Sequence, residues 1–230
     1  MKDDDWHFPR SRETAEGGDD LLLQMLDEKN VRAAWQRVLA NDGAPGPDGL
    51  GVRDLAPVFA EEWTAVASRL RSGTWQPQPV RRVSIPKPGG GLRVLGIPSV
   101  MDRTVHQAIT QPLTRLWEPR FSPRSFAYRR GRGARQALES LASQAAALPG
   151  AICCHLDIRQ FFDRVPRGQA LQTVSAVCDD LRVHDLVQRI LDAGACERGQ
   201  VLPTPLGLPQ GSPLSPLLAN AVLHPLDLWL

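Results

Sequence analysis

The sequence predicts a mixed α/β chain, and three observations carry that reading. Residues 82–85 alternate Arg-Val-Ser-Ile ahead of three glycines at 89–91 and a second apolar stretch, Leu92–Ile97, the pattern of a β-hairpin. Residues 151–158, AICCHLDI, form a short apolar run of strand length. Around both lie longer segments whose apolar residues recur at helical spacing. Helical and extended segments interleaved in this way describe an α/β or α+β domain.

Each element follows in order. Residues 1–20 are charged, contain Gly17 and Gly18 and hold few apolar groups, so they read as a disordered acidic leader. From Leu21 to Ala40, Leu22, Met25, Leu26, Val31, Trp35, Val38 and Leu39 fall near one helical stripe. NDGAPGPDG (41–49) breaks it. A second helix is expected over Leu55–Leu70, stopped by Ser72-Gly73. After the hairpin come helices over Met101–Leu116 and Ala134–Leu148. The run 151–158 predicts a buried strand with Cys153, His155 and Asp157 on one face and Ile152, Cys154 and Leu156 on the other. Helices near 168–177 and 182–193, a short connection through Val201, a Pro/Gly turn and a last helix from Pro216 complete the chain. The natural divisions are 1–20, 21–148 and 149–230.

Composition excludes several classes. An apolar share of 42% with 23% charged residues is ordinary for a globular protein, and no apolar run is long enough to cross a bilayer. The N-terminus, MKDDDWHFPR, is acidic where a secretory signal is basic and apolar. Cys153, Cys154, Cys178 and Cys196 form no C-x-x-C pair and have no histidines at zinc spacing, so a reduced, cytoplasmic protein without a membrane partner is expected. The net charge of +2 hides an asymmetry. Residues 1–30 hold nine acids and four bases, leaving 23 bases against 16 acids in the remainder. Two clusters concentrate the excess. Arg69, Arg71, Arg81, Arg82, Lys87, Arg93 and Arg103 meet only Asp102, while Arg115, Arg120, Arg124, Arg129, Arg130, Arg132 and Arg135 meet only Glu118. Such density is either a phosphate-backbone footprint or a solvated arginine surface.

Four motifs carry the chemistry. HLDIRQFFDRV (155–165) sets a carboxylate, Asp157, at a strand end before Phe161 and Phe162; a strand-end carboxylate beside basic surface suits a hard cation, or else serves as a cap or an ion-pair partner. Phe161 reads as a core residue and Asp163 as a carboxylate opening a helix. GLPQGSPLSPLLAN (207–220) is a turn that opens a helix through Ser212-Pro213 or Ser215-Pro216 and places Gln210 at its mouth. IPKPGGGLRVLGIP (85–98) flanks its glycines with Lys87 and Arg93, an ammonium and a guanidinium suited to gripping phosphates. Only three of the 27 basic residues are lysine, and Lys87 is the sole one after residue 30. Finally, FSPRSFAYRRGRGARQALES (121–140) and APGPDG (44–49) bracket this region with further turns.

Together these segments resemble the reverse transcriptases, most closely the group II intron (maturase-type) branch, over about residues 21–230. The resemblance implies a right-hand polymerase fold, here fingers plus part of a palm that stops before the family's Tyr-x-Asp-Asp hairpin and its thumb. It implies an RNA-directed DNA polymerase that adds dNTPs to a primer 3′-hydroxyl on an RNA template, the primer being DNA or RNA. By the same resemblance Asp157 and the Ile158 carbonyl bind Mg²⁺, with Mn²⁺ as a substitute. Lys87 and Arg93 hold the triphosphate, Phe162 packs under the sugar and excludes a 2′-hydroxyl, and Gln210 approaches the nucleotide. Arg81, Arg82, Arg124, Arg129 and Arg132 contact nucleic acid, and APGPDG contacts the template. Ala127, Arg130, Gly133 and Pro166-Arg167 depart from the family pattern, which leaves CRISPR-associated, retron-like and diversity-generating subgroups open. One metal aspartate cannot hold two cations. The alternatives are therefore a non-catalytic RNA-binding remnant or one subunit of a split enzyme completed by another chain. The last helix is expected to expose Val222, Leu223, Leu226 and Trp229 as an unpartnered apolar face.

Overall fold

Asp27 divides the first expected helix in two. A computed structural model describes residues 20–86, 90–148, 150, 152–197 and 199–229, so nearly all of the acidic leader lies outside it. α1 (Leu21–Leu26) is capped by the Asp20 carboxylate, which accepts from the Leu23 N–H. At Asp27 the side chain accepts from Lys29 and Asn30 N–H and opens α2 (Glu28–Asn41), since a short carboxylate competes with the helical ladder and favours a cap. The second expected helix is also in parts: α3 (Val52–Leu55), a 3₁₀ turn at Ala56–Val58 and α4 (Phe59–Arg71). Pro57, inside that turn, has no N–H to continue the ladder.

β1 (Val80–Pro86) and β2 (Leu92–Ile97) form the expected antiparallel hairpin, with Ser84 opposite Val94. The other edge of β1 runs parallel to β3 (Ala195–Glu197), which turns back as β4 (Gln200–Leu202), giving the order β2-β1-β3-β4. Three-residue strands carry almost no periodicity, so the connection through Val201 concealed them.

The centre of the molecule is α5 (Val100–Trp117), capped by Ser99 and packed against α1, α2 and the last helix. Asn30, where α1 meets α2, donates to the carbonyls of Met25 and Ala108, and Gln111 donates back to it. Trp35, Phe59 and Trp63 stack at 4.0 and 5.9 Å, closing one end of the core. α6 (Ala134–Ala147) follows, then α7 (Phe161–Arg164), α8 (Arg167–Ser175), α9 (Leu181–Asp192) and α10 (Ser215–Trp229). One buried cluster runs from Leu21 to Ala221. Trp117, on α5, donates through its indole N–H to the Thr173 carbonyl on α8.

One expectation is corrected. Residues 152–158 form no strand among the described residues; Ile152 is 89% and Leu156 82% exposed, and Cys153 and Cys154 are exposed as well. An apolar run becomes a buried strand only where neighbours accept its backbone groups, and both edges of β1 are already taken by β2 and β3. The preceding α6 buries no residue, with Leu138 and Leu141 exposed. The outer face of α10 is open as expected, Leu226 and Trp229 being 41% and 81% exposed, while Val222 and Leu223 are half-buried.

Candidate functional site

Two glycines bring the site together. At Gly211, φ is +125°, and an added Cβ would stand 2.6 Å from the Gly96 carbonyl oxygen on β2. The Gly96 N–H donates to the Gln210 carbonyl at 2.9 Å, fixing this approach. At Gly207, φ is +87°, and a Cβ would lie 2.9 Å from the carbonyl oxygens of Phe162 and Asp163. There the Leu208 N–H donates to the Phe162 carbonyl at 2.7 Å and the Gly207 N–H to Val165 at 2.9 Å. The turn is thus laid between the hairpin and α7, with no room for side chains where backbones meet.

That placement puts Gln210 between a cation and a carboxylate. Its Oε1 accepts from Arg93 Nε–H at 3.0 Å, and its Nε2–H donates to Asp163 Oδ1 at 2.5 Å. Phe162 lies beside this chain, met edge-on by Tyr128 at 6.1 Å and Phe161 at 6.0 Å between centroids. Arg93, Leu95, Tyr128, Phe162, Gln210 and Ser212 line one side of a cavity of about 410 Å³. Facing polar and apolar groups of this kind can orient a ligand that carries both an anion and a flat ring.

The turn rests on a buried polar pair. Ser212 Oγ and His106 Nδ1 are 3.0 Å apart, and burial pushes the imidazole pKa down to about 3, so the ring is neutral. Ser212 Oγ accepts from the Leu214 N–H, while the hydroxyl of Ser215, the first residue of α10, donates to the Pro209 carbonyl. At the start of α5, Asp102 accepts from the Gln78 N–H at 3.0 Å. Burial outweighs that bond and raises its pKa to about 6.

Of the expected site residues, the fold brings Arg93, Phe162 and Gln210 together. Lys87 lies outside the described residues. Asp157 and Ile158 are exposed and do not line the cavity. Mg²⁺ takes about six oxygen ligands, whereas the described residues hold no group of three His, Cys, Asp or Glu side chains that could bind a metal. Asp157 and one carbonyl therefore do not by themselves make a magnesium site.

The expected nucleic-acid arginines divide by environment. Arg81 donates through Nε and Nη2 to the Pro45 carbonyl, and Arg82 pairs with Glu197 at 3.4 Å. Arg129 is buried, pairs with Glu118 at 2.7 Å and donates to the carbonyls of Ser122 and Ser125. Arg132 donates to Pro123, and Arg124 is exposed. A guanidinium fork suits such irregular loops because its donors satisfy carbonyls that no helix or sheet reaches. Sequence reasoning missed two partners of the site residues, of which only Tyr128 lines the cavity. Asp163 shows its role only through Gln210, and Tyr128, the one tyrosine of the chain, has a positive φ of 55°.

Comparison with known proteins places this geometry. Residues 85–230 match the family model described as reverse transcriptase (RNA-dependent DNA polymerase). The chain is 32% identical over 215 residues to Protein YkfC of Escherichia coli (strain K12), covering 91% of this chain and 56% of that protein. It is 33% identical over 196 residues to the Group II intron-encoded protein LtrA of Lactococcus lactis subsp. cremoris, covering 84% and 32%. The chain thus spans less than two thirds of the length of either relative. A chain of the partial Cas6-RT-Cas1–Cas2 complex superposes with a TM-score of 0.62 at 24% identity, over 93% of this chain and 35% of that one, which is a likeness of fold. Arg93 on β2, the aromatic pair after Asp157 and the Gln210 turn all lie within the matched region, and the chain belongs to the reverse transcriptase family and is similar to its group II intron-encoded members.

Proposed function

We propose that this chain carries the nucleotide-binding part of an RNA-directed DNA polymerase, which adds dNTPs to a primer 3′-hydroxyl on an RNA template. The observation that supports this most is the hydrogen-bonded series Arg93–Gln210–Asp163 beside the Phe162 ring, in a cavity of about 410 Å³. Arg93, with Lys87 six residues before it in the sequence, neutralises the triphosphate, the fork giving direction and the ammonium charge. Gln210, its amide held at both ends, presents a fixed edge to the nucleotide. Phe162, buttressed by Tyr128 and Phe161, packs under the sugar where a 2′-hydroxyl would collide. Asp157 and the Ile158 carbonyl supply two of the oxygens a magnesium ion requires, and exposed arginines such as Arg124 meet RNA phosphates.

Titration of the chain with fluorescent dATP tests the reading. Arg93→Ala should weaken binding about tenfold, the loss of one charge-assisted contact. Phe162→Ala should bring ATP and dATP to within about threefold of each other, since only the steric contact is removed. Unchanged dATP affinity in Arg93→Ala would overturn the triphosphate assignment.

A second reading has its own observation. Asp157 stands on a segment without regular structure and with no strand partner among the described residues. This favours a site whose remaining carboxylates come from another polypeptide segment, in the same protein or a partner. Without them the chain is an RNA-binding element. Primer extension by the chain, alone and mixed with a Tyr-x-Asp-Asp-bearing fragment of a relative, distinguishes the two.

A further inference from the structure

The turn that carries Gln210 is tied to α5 through a buried imidazole. Pro209, Gln210, Gly211 and Ser212 close a four-residue turn, the Ser212 N–H donating to the Pro209 carbonyl at 3.1 Å. It is tied to β2, whose Gly96 N–H reaches the Gln210 carbonyl at 2.9 Å, and to α10, whose Ser215 hydroxyl reaches the Pro209 carbonyl at 2.7 Å. Its tie to α5 is Ser212 Oγ, 3.0 Å from His106 Nδ1 and 106 residues away in the chain. Ser212 lines the cavity and His106 does not, so the imidazole stands behind the turn.

His106 is costly where it stands. It is 2% exposed on α5, whose Val105, Ala108 and Ile109 are fully buried members of the core. Its Nε2 is buried with no hydrogen-bond partner among the described residues, and with Nδ1 facing Ser212 either tautomer leaves that nitrogen unmet. A half-satisfied polar group in the interior lowers stability, and an apolar side chain would fill this position without that loss. Packing therefore gives no reason for an imidazole here; the contact with Ser212 does. Gln210 has little freedom to follow a displaced turn, since its Oε1 lies 3.0 Å from Arg93 Nε and its Nε2 2.5 Å from Asp163 Oδ1. A shift of about 1 Å would carry one of those bonds out of range.

We propose that His106 is a positioning residue for the cavity: through Ser212 Oγ it sets the turn, and the turn sets the Gln210 amide between Arg93 and Asp163. This role rests on the nucleotide reading only in naming the ligand that Gln210 meets.

Substitutions at His106 in the 230-residue chain test it by the ¹H–¹⁵N resonance of the Gln210 side-chain amide, assigned by its absence in Gln210→Leu, and by titration with fluorescent dATP. Asn carries its polar atoms where imidazole carries Nδ1, whereas Gln carries them where Nε2 stands. His106→Asn should keep the resonance and bind dATP within about twofold of the parent. His106→Leu and His106→Gln should move the resonance towards that of an exposed amide and weaken dATP about fivefold, the loss of one neutral hydrogen bond. His106→Leu should nonetheless unfold at a higher urea midpoint than His106→Asn, because it buries no polar atom. Affinity then runs opposite to stability, which a merely structural role could not produce. Ser212→Ala combined with His106→Leu should weaken dATP no further than Ser212→Ala alone. An unmoved Gln210 resonance in His106→Leu, equal behaviour of the Asn and Gln variants, or additive losses in the double variant would overturn the role. If His106→Leu does not fold, the comparison of Asn with Gln decides alone. If the resonance follows this order while neither parent nor variants bind dATP, the nucleotide reading fails and the positioning of Gln210 stands.

Discussion

Gln210 works because it cannot choose its position. Its carbonyl is tied to Gly96, its amide to Arg93 and Asp163, and the next residue has no side chain. That last point is the sharpest test at this scale. Gly211→Ala would combine a positive φ of 125° with a Cβ 2.6 Å from a backbone oxygen that cannot rotate away. We expect a loss of about 2 kcal/mol or more, read as a lower urea midpoint with an unchanged slope. A variant as stable as the parent would mean that the turn does not hold this approach. Arginines teach the complementary lesson. Arg81, Arg103 and Arg129 look alike in sequence, yet each donates to loop carbonyls, and only their surroundings identify them as clamps.

Helices that start at a strong cap were legible; strands that depend on distant partners were not. Asp27 is the exception, a cap with bonds to two N–H groups that opens α2 inside the single helix expected over Leu21–Ala40. Asp27→Ala should cost about 1 kcal/mol by urea unfolding, and a neutral result would show that packing of α1 and α2 on α5 alone sets their boundary. The hairpin β1–β2 was equally legible because alternation and glycines are local signals. By contrast AICCHLDI has the composition of a buried strand, yet its residues 152–158 are exposed, since composition states a preference and hydrogen-bonding neighbours decide. β3 and β4 are the converse, three-residue strands created by pairing, β3 with β1 and β4 with β3.

Across the whole molecule, two buried titratable groups on α5 set opposing pH dependences. His106 is neutral with a folded pKa of about 3, below its ordinary 6.5; its contribution is present above pH 6.5 and is lost as pH falls towards 3. Asp102 has a folded pKa of about 6, above its ordinary 3.8; its contribution is full below pH 3.8 and is lost as pH rises through 6. Between pH 6 and 4 the two largely cancel; over their full windows they amount to about 5 and 3 kcal/mol by linkage. Substitution separates them. Asp102→Asn, which keeps an oxygen for the Gln78 N–H, should make acid unfolding over that range steeper than in the parent. His106→Gln should make it shallower or reverse it. Parallel curves for all three proteins, from urea melts at each pH, would remove both groups as the source.

The sequence alone determined the family, the hairpin, most helix positions and three of the cavity residues, Arg93, Phe162 and Gln210, because local chemistry writes turns, caps and motifs directly. Tertiary structure decided which arginines are clamps, that Asp163 holds Gln210, that Arg37 and Asn41 of α2 and Arg103 and Gln107 of α5 line one cavity, and that 152–158 finds no strand partner among the described residues. Those outcomes depend on groups far apart in the chain, such as Arg93 and Gln210 or Arg81 and Pro45, which only folding brings within hydrogen-bond distance.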